Sequence, residues 1–266
     1  MPGQNDPMER PTTALVLGGG GLFGAYQAGV WKTLESSFQP DMVVGASIGA
    51  LNGLAIAGGC AADEWIAQWM EMGAHGRPRL RLPRGPFDGL FDAAPVERFA
   101  RRLMERFQPR VRYGVALTSV RPLRTRVFWD DAITWRHLCA SCGVPVLLRQ
   151  YKLDGQWWAD GGLLDAVPVE AAIEAGATRI VAVNILPARA PLALRAGRAA
   201  LRVVSGHREA PFPAGVRVVT IEPGLALGAW RETAVWERQR IGAWIERGQM
   251  DAARVLEVVK SLNITN

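Results

Sequence analysis

Residues 42–57 read MVVGASIGALNGLAIA. Met42, Val43 and Val44 form a short apolar, β-prone run, and residues 48–57 are rich in Ala, Leu and Ile. No charge occurs from residue 42 to residue 62, a length that would cross a bilayer, and Gly45, Gly49 and Gly53 have the spacing of a small-residue helix-dimer face. Five glycines, Ser47 and Asn52 interrupt that stretch, however, and its character switches at Gly45. A strand, a tight turn and a buried helix account for the switch; one continuous membrane helix does not.

The same grammar appears upstream. Residues 11–31 are also uncharged, with Ala14 to Leu17 as a buried-strand run, then Gly18-Gly19-Gly20-Gly21, then a helical pattern over 22–36. Further along, residues 63–72 predict a helix with Asp63 as N-cap and Ile66, Trp69 and Met70 on one face. A Pro/Gly/Arg-rich loop covers 75–89. Pro95 opens a basic amphipathic helix with Val96, Phe99, Leu103 and Phe107 on its apolar side and Arg98, Arg101, Arg102 and Arg106 opposite. That helix is expected to lay its apolar side on the sheet. Strands are predicted at 114–118, 125–129, 180–185 and 216–221, and Pro168 and Gly176 bracket a short helix. A last helix runs over 233–260 with a break near Gly248. The alternation predicts an α/β fold, with a sheet buried between helices.

Composition bounds the rest. With 266 residues, 49% of them hydrophobic and 21% charged, the chain can bury a large core and is not disordered. Residues 1–12 read as a flexible segment and 13–266 as a single domain. Residues 1–12 lack an apolar signal core, which predicts no signal peptide, no transmembrane helix and a cytoplasmic chain. The net charge of +6 suits peripheral contact with an anionic surface such as the inner membrane; no nucleic-acid partner is expected. Arg77, Arg79, Arg81 and Arg84 are candidates for that contact. Three cysteines give no disulfide framework. Cys139 and Cys142 form a C-x-x-C beside His137, but without a second cysteine pair they read as buried small residues, and no metal is expected.

Three motifs carry chemistry. Gly45-Ala46-Ser47-Ile48-Gly49 matches G-x-S-x-G, in which a serine on a sharp strand-to-helix turn projects its hydroxyl, with a helix N-terminus behind it. The Gly18–Gly21 run can turn backbone N–H groups toward an oxyanion. It also fits G-x-G-x-x-G through Gly19, Gly21 and Gly24, the fingerprint of a dinucleotide-binding oxidoreductase. That alternative needs an acid at the end of the next strand, whereas Asp41 precedes the strand. The third motif is Asp160-Gly161-Gly162. A Ser-His-Asp triad would require His207, which falls in a surface-loop composition.

These motifs in this order, together with Ala140-Ser141-Cys142-Gly143-Val144-Pro145 and Leu163 to Val169, resemble the patatin-like phospholipase family over residues 14–185. The resemblance implies a three-layer α/β/α sandwich with a mostly parallel central sheet. It implies a cofactor-free lipid acyl hydrolase of the phospholipase A, lysophospholipase or carboxylesterase type, with lipid or another acyl ester as substrate. Ser47 would be the nucleophile, Asp160 the base, and Gly19, Gly20 and Gly21 the oxyanion-hole donors. Phe23 stands where many bacterial members carry Arg or Lys, and with Ile48 beside the serine it is expected to contact substrate. That departure leaves a catalytically impaired binding module as a further alternative.

Overall fold

The computed structural model describes residues 12–72, 79–186, 199, 201, 205 and 211–262. The expectations for residues 1–11 as a flexible segment, for Arg77 and for His207 lie outside the described residues. In chain order the strands are β1 (Thr13–Leu17), β2 (Met42–Ala46), β3 (Arg112–Ser119), β4 (Arg124–Trp129), β5 (Tyr151–Leu153), β6 (Gln156–Asp160), β7 (Arg179–Val183) and β8 (Arg217–Ile221). The helices are α1 (Gly24–Leu34), α2 (Ile48–Ala57), α3 (Ala62–Glu71), α4 (Ala94–Arg106), α5 (Trp135–Ser141), α6 (Val169–Glu174) and α7 (Arg238–Leu262).

The apolar runs of β1, β2 and β7 are buried on both faces, as strands flanked by helices must be. Leu15, Leu17, Val43, Val115, Leu117, Val181 and Val183 share one core with residues of α1, α2, α3, α4, α5 and α7. Ala14, Val16, Met42, Val44, Ile180 and Ala182 pack with Ala172 of α6 in another. The fold is therefore α/β in three layers, strongly weighted to one side.

Parallel pairing joins β3 to β2, β2 to β1, β1 to β7 and β7 to β8. At the other end the pairing is antiparallel: β4 and β6 on β3, and β5 on β6. The sheet is mixed, parallel at its centre and antiparallel beyond β3.

Four local expectations need correction. Residue 63 is not the cap of α3; Ala61 is, and Glu35 Oε1 accepts the Ala62 amide at 2.9 Å while Asp63 pairs with Lys32. Helix α4 packs on α2 and α5 rather than on the sheet, with Leu103 and Ala100 buried and the four arginines exposed. Gly248 does not break α7. It lets α7 cross α1 closely, since a Cβ there would lie 2.1 Å from the Tyr26 carbonyl oxygen. Residues 230–234 form a separate 3-10 turn before α7 begins.

Candidate active site

Ser47 sits between β2 and α2 with φ 54° and ψ −126°, a sparsely populated conformation for a residue with a side chain. Close packing enforces it. A Cβ on Gly45 would lie 2.3 Å from the Gly49 carbonyl oxygen, and one on Gly49 would lie 2.2 Å from that of Leu17. Only glycine at both flanks lets the chain turn this tightly against the end of β1. Ser47 is 9% exposed. Its amide donates to Ser141 Oγ at 2.8 Å, and its carbonyl accepts from the Ala50 amide at 2.9 Å, starting α2.

The glycine run leaves β1 beside this turn. Gly19 faces Ser47 so closely that a Cβ on it would be 3.1 Å from the serine Cβ. The Gly18 amide donates to Val183 oxygen and the Gly19 amide to Ala166 oxygen, both at 3.0 Å, while Gln27 Nε2 donates to Gly18 oxygen at 2.7 Å. The Gly19 donor is thus occupied, which narrows the expected oxyanion donors to Gly20 and Gly21. Among the described residues no acceptor is paired with either amide. Gly21 is exposed and has φ 59°, turning the chain into the 3-10 turn Gly21–Phe23.

Asp160 arrives from the opposite direction. β2 pairs with residues 112–116 of β3, and β6 pairs antiparallel with 117–119. Because β4 pairs with 114–119, β2 and β6 must share the other edge of β3. The two strands run head-on along that edge. Ala46 is opposite Ala116, and Asp160 is opposite the next residue, Leu117. The serine that follows β2 and the aspartate that ends β6 are therefore delivered to one point. Asp160 is 5% exposed; its Oδ1 accepts the Gly162 amide at 2.7 Å, and its own amide donates to Gly143 oxygen at 3.1 Å. Gly161 lies against Ala116, where a Cβ would be 2.1 Å from the carbonyl oxygen.

The supporting residues were not assigned roles from sequence. Ser141 Oγ accepts from Ser47 and donates to Ala116 oxygen at 2.8 Å, tying the turn to β3. Cys142, next in the chain, has its thiol pushed up first by burial and then by the Asp160 charge; a hydrogen bond with the Ser47 side chain pulls the other way. Both C-x-x-C thiols are buried, and burial pushes Cys139 up to about 12. Gln27 and Asn52, both fully buried, link the glycine run to the helices. Asn52 Nδ2 donates to Gln27 Oε1 at 2.7 Å and to Gly24 oxygen at 2.9 Å, while its Oδ1 accepts from Trp65 and Trp69 at 3.0 and 3.1 Å. The one signal for these residues was polar side chains inside charge-free runs.

Phe23 does not line the site. It is fully buried, edge-on to Trp244 of α7 with ring centroids 4.9 Å apart, so the expected substrate contact is corrected to a core contact. Ile48 is 9% exposed and packs its side chain onto Gly24, where a Cβ would lie 2.5 Å away. Asp41, upstream of β2, accepts from the Thr13 amide and hydroxyl at 2.8 Å and ties two strands together.

The family described as patatin-like phospholipase matches residues 15–173. Over 184 residues the chain is 30% identical to patatin-like phospholipase domain-containing protein 6 of Homo sapiens, covering 65% of this chain and 13% of that protein. Over 187 residues it is 29% identical to a lysophospholipase of Yarrowia lipolytica, covering 64% and 12%. The chain thus spans a small fraction of the length of the curated relatives it matches. Among solved structures it is similar in fold to VipD from Legionella pneumophila, with a TM-score of 0.53 at 12% identity over 94% of this chain and 67% of that one.

Proposed function

The chain belongs to the patatin-like phospholipase family, and on that premise we propose that it hydrolyses carboxylic ester bonds of lipids, with Ser47 as nucleophile and Asp160 as general base. One observation carries the assignment of roles: the head-on approach of β2 and β6 along one edge of β3, with Ala46 and Asp160 opposite consecutive residues.

In this mechanism the Asp160 carboxylate takes the hydroxyl proton as Ser47 Oγ bonds to the acyl carbon. The carbonyl oxygen becomes an oxyanion beside the Gly20 and Gly21 amides, with the α2 N-terminus adding positive potential. Collapse of the tetrahedral intermediate breaks the ester C–O bond, and the leaving alcohol takes the proton from Asp160. Water then attacks the acyl-serine, giving its proton to Asp160. A second collapse releases the fatty acid and returns that proton to Ser47. Neither step calls for a cofactor. Fixed backbone supports preorganisation: Ser141 and Gly143 hold the amides of the two reacting residues, and Ala166 and Gln27 hold the glycine run.

A lipid rather than a generic ester is favoured by the names of the relatives, which are phospholipase domain proteins and a lysophospholipase. The test is hydrolysis of a soluble short-chain acyl ester and of lysophospholipid by purified chain. Ser47→Ala and Asp160→Asn are each expected to lower kcat by about a thousandfold or more, with unchanged thermal melts. Full activity in either folded variant sinks the assignment.

A further inference from the structure

Two exposed loops beside the β5–β6 end of the sheet carry side chains that the proposed chemistry does not use. The first, residues 79–92, alternates Arg79-Leu80-Arg81-Leu82 before Pro83 and Arg84. Leu80 is 75% and Leu82 is 90% exposed. The second, residues 144–149, presents Val146 at 67% and Leu147 at 38% exposure. Backbone hydrogen bonds join the loops: the Leu90 amide donates to Val146 oxygen at 2.9 Å and the Phe91 amide to Leu147 oxygen at 3.0 Å. The exposed leucines and valine therefore share one fixed scaffold. Val146 adopts φ 71°, a strained conformation for a β-branched residue, at an exposed point of its loop.

Against this apolar ridge lies a cavity of about 310 Å³ lined by Arg81, Arg84, Arg149, Asp88, Phe87 and Trp157. Phe87 and Trp157 stack with ring centroids 4.1 Å apart and form an aromatic wall. Arg81 pairs with Asp88, yet its Nε has no hydrogen-bond partner. Arg149 reaches Glu97 at 4.0 Å. The guanidinium groups of Arg79 and Arg84 make no ion pair among the described residues. Three guanidinium groups line the cavity, with Asp88 as its one lining carboxylate among the described residues. Arg149 meets Glu97 only at 4.0 Å, which leaves donors for an anion with several oxygens such as a phosphate.

We infer that this surface docks on an anionic phospholipid bilayer, the ridge entering the interface and the arginine-lined cavity taking a lipid phosphate. Apolar side chains at loop tips, interleaved with arginines, satisfy both requirements of interfacial binding, which a flat protein contact would not need together. The choice of a lipid surface rests on the lipid-hydrolase reading above; the binding itself can be measured without it. The surface is also mechanically continuous with the site. Gly143, whose carbonyl holds the Asp160 amide, packs against Arg149 so closely that a Cβ would be 2.7 Å from its carbonyl oxygen.

The experiment is co-sedimentation of the full chain with vesicles of phosphatidylcholine alone and of phosphatidylcholine with phosphatidylserine. The unsubstituted chain is expected to bind the anionic vesicles more tightly. Arg79→Glu with Arg84→Glu should weaken that binding at least tenfold, since each arginine near the surface is worth about fivefold. Leu80→Ser with Leu82→Ser should weaken it comparably. A Leu82→Cys variant, labelled with an environment-sensitive fluorophore, should blue-shift on anionic vesicles; the native thiols are buried. The same label on Glu257→Cys, exposed on α7, should not. Hydrolysis of the soluble ester should be unchanged in both double variants. Undiminished vesicle binding in both double variants overturns the docking surface and leaves the hydrolase assignment standing. No binding by the folded chain, or equal binding to both vesicles, also overturns it and gives the ridge to a protein partner. Absent ester hydrolysis with intact, variant-sensitive vesicle binding removes the hydrolase assignment and keeps the surface.

Discussion

Ser141 holds the amide of Ser47: its side-chain oxygen accepts that hydrogen bond at 2.8 Å and donates its own proton to Ala116 oxygen at the same distance. Ala116 is the β3 residue opposite Ala46, so the bridge clamps the strained turn to the strand that also carries the register of Asp160. One hydroxyl thus ties the turn that carries Ser47 to β3.

Removing that hydroxyl leaves a buried amide and a buried carbonyl without this partner, a cost of about 1–3 kcal/mol. Ser141→Ala should lower the melting temperature. It should also lower kcat on acyl esters by more than it raises KM, because the serine keeps its chemistry but loses its aim. An unchanged kcat with a lowered melting temperature would reduce Ser141 to a stabilising role.

The departure at residue 23 has a structural answer in Trp244, which packs edge-on to the buried ring. Restoring a basic residue, Phe23→Arg, should therefore not improve activity. It would bury an unpaired charge and destabilise the fold by about 3 kcal/mol or more, readable as loss of soluble yield or a lower denaturant midpoint. Gain of phospholipid hydrolysis in that variant would contradict the core assignment.

Asn52 gathers two indole donors, a glutamine and a helix carbonyl in one buried network. Asn52→Leu would strand the Trp65 and Trp69 N–H groups and free Gln27, which steadies Gly18. A loss of about 3 kcal/mol is expected, roughly 6–12 °C in melting temperature for a domain of this size. A differential scanning measurement checks it.

Burial lowers the affinity of His137 for a proton. Its Nδ1 accepts from the Thr134 amide at 3.1 Å, and its Nε2 has no partner. The folded pKa lies below the unfolded value, so the unfolded chain binds the proton first. The stabilising contribution is present above the unfolded pKa of about 6.5 and is lost as pH falls toward the folded pKa. Melting temperature should fall as pH drops through and below about 6.5, and His137→Asn, which keeps a cap acceptor, should flatten that slope. An identical slope in the variant would assign the effect elsewhere.

Much of the architecture was legible because glycines punctuate it. β1, β2 and α2 are uncharged runs; β1 stops at Gly18, β2 runs on through Gly45 to Ala46, and α2 occupies the predicted residues. What escaped was settled by tertiary contacts. Glu35, just past the end of α1, caps α3 from a distance, and no local spacing signals it. Gly248 reads as a helix break in one dimension, yet in three it is where α7 meets Tyr26. Periodicity cannot foresee that β6 enters antiparallel at the end of β2, and that entry is what brings Asp160 to Ser47. The chemical types were in the motifs; their supports, Ser141, Gly143 and Gln27, depended on which backbone groups the folded chain left to be held.

The most direct measurement is covalent labelling by a fluorophosphonate, followed by peptide mapping. The account predicts one phosphonyl adduct per chain, on Ser47, formed at a rate that Asp160→Asn reduces at least a hundredfold while the fold is kept. No adduct on Ser47 in the folded chain, or an adduct that forms equally fast in Asp160→Asn, would contradict it.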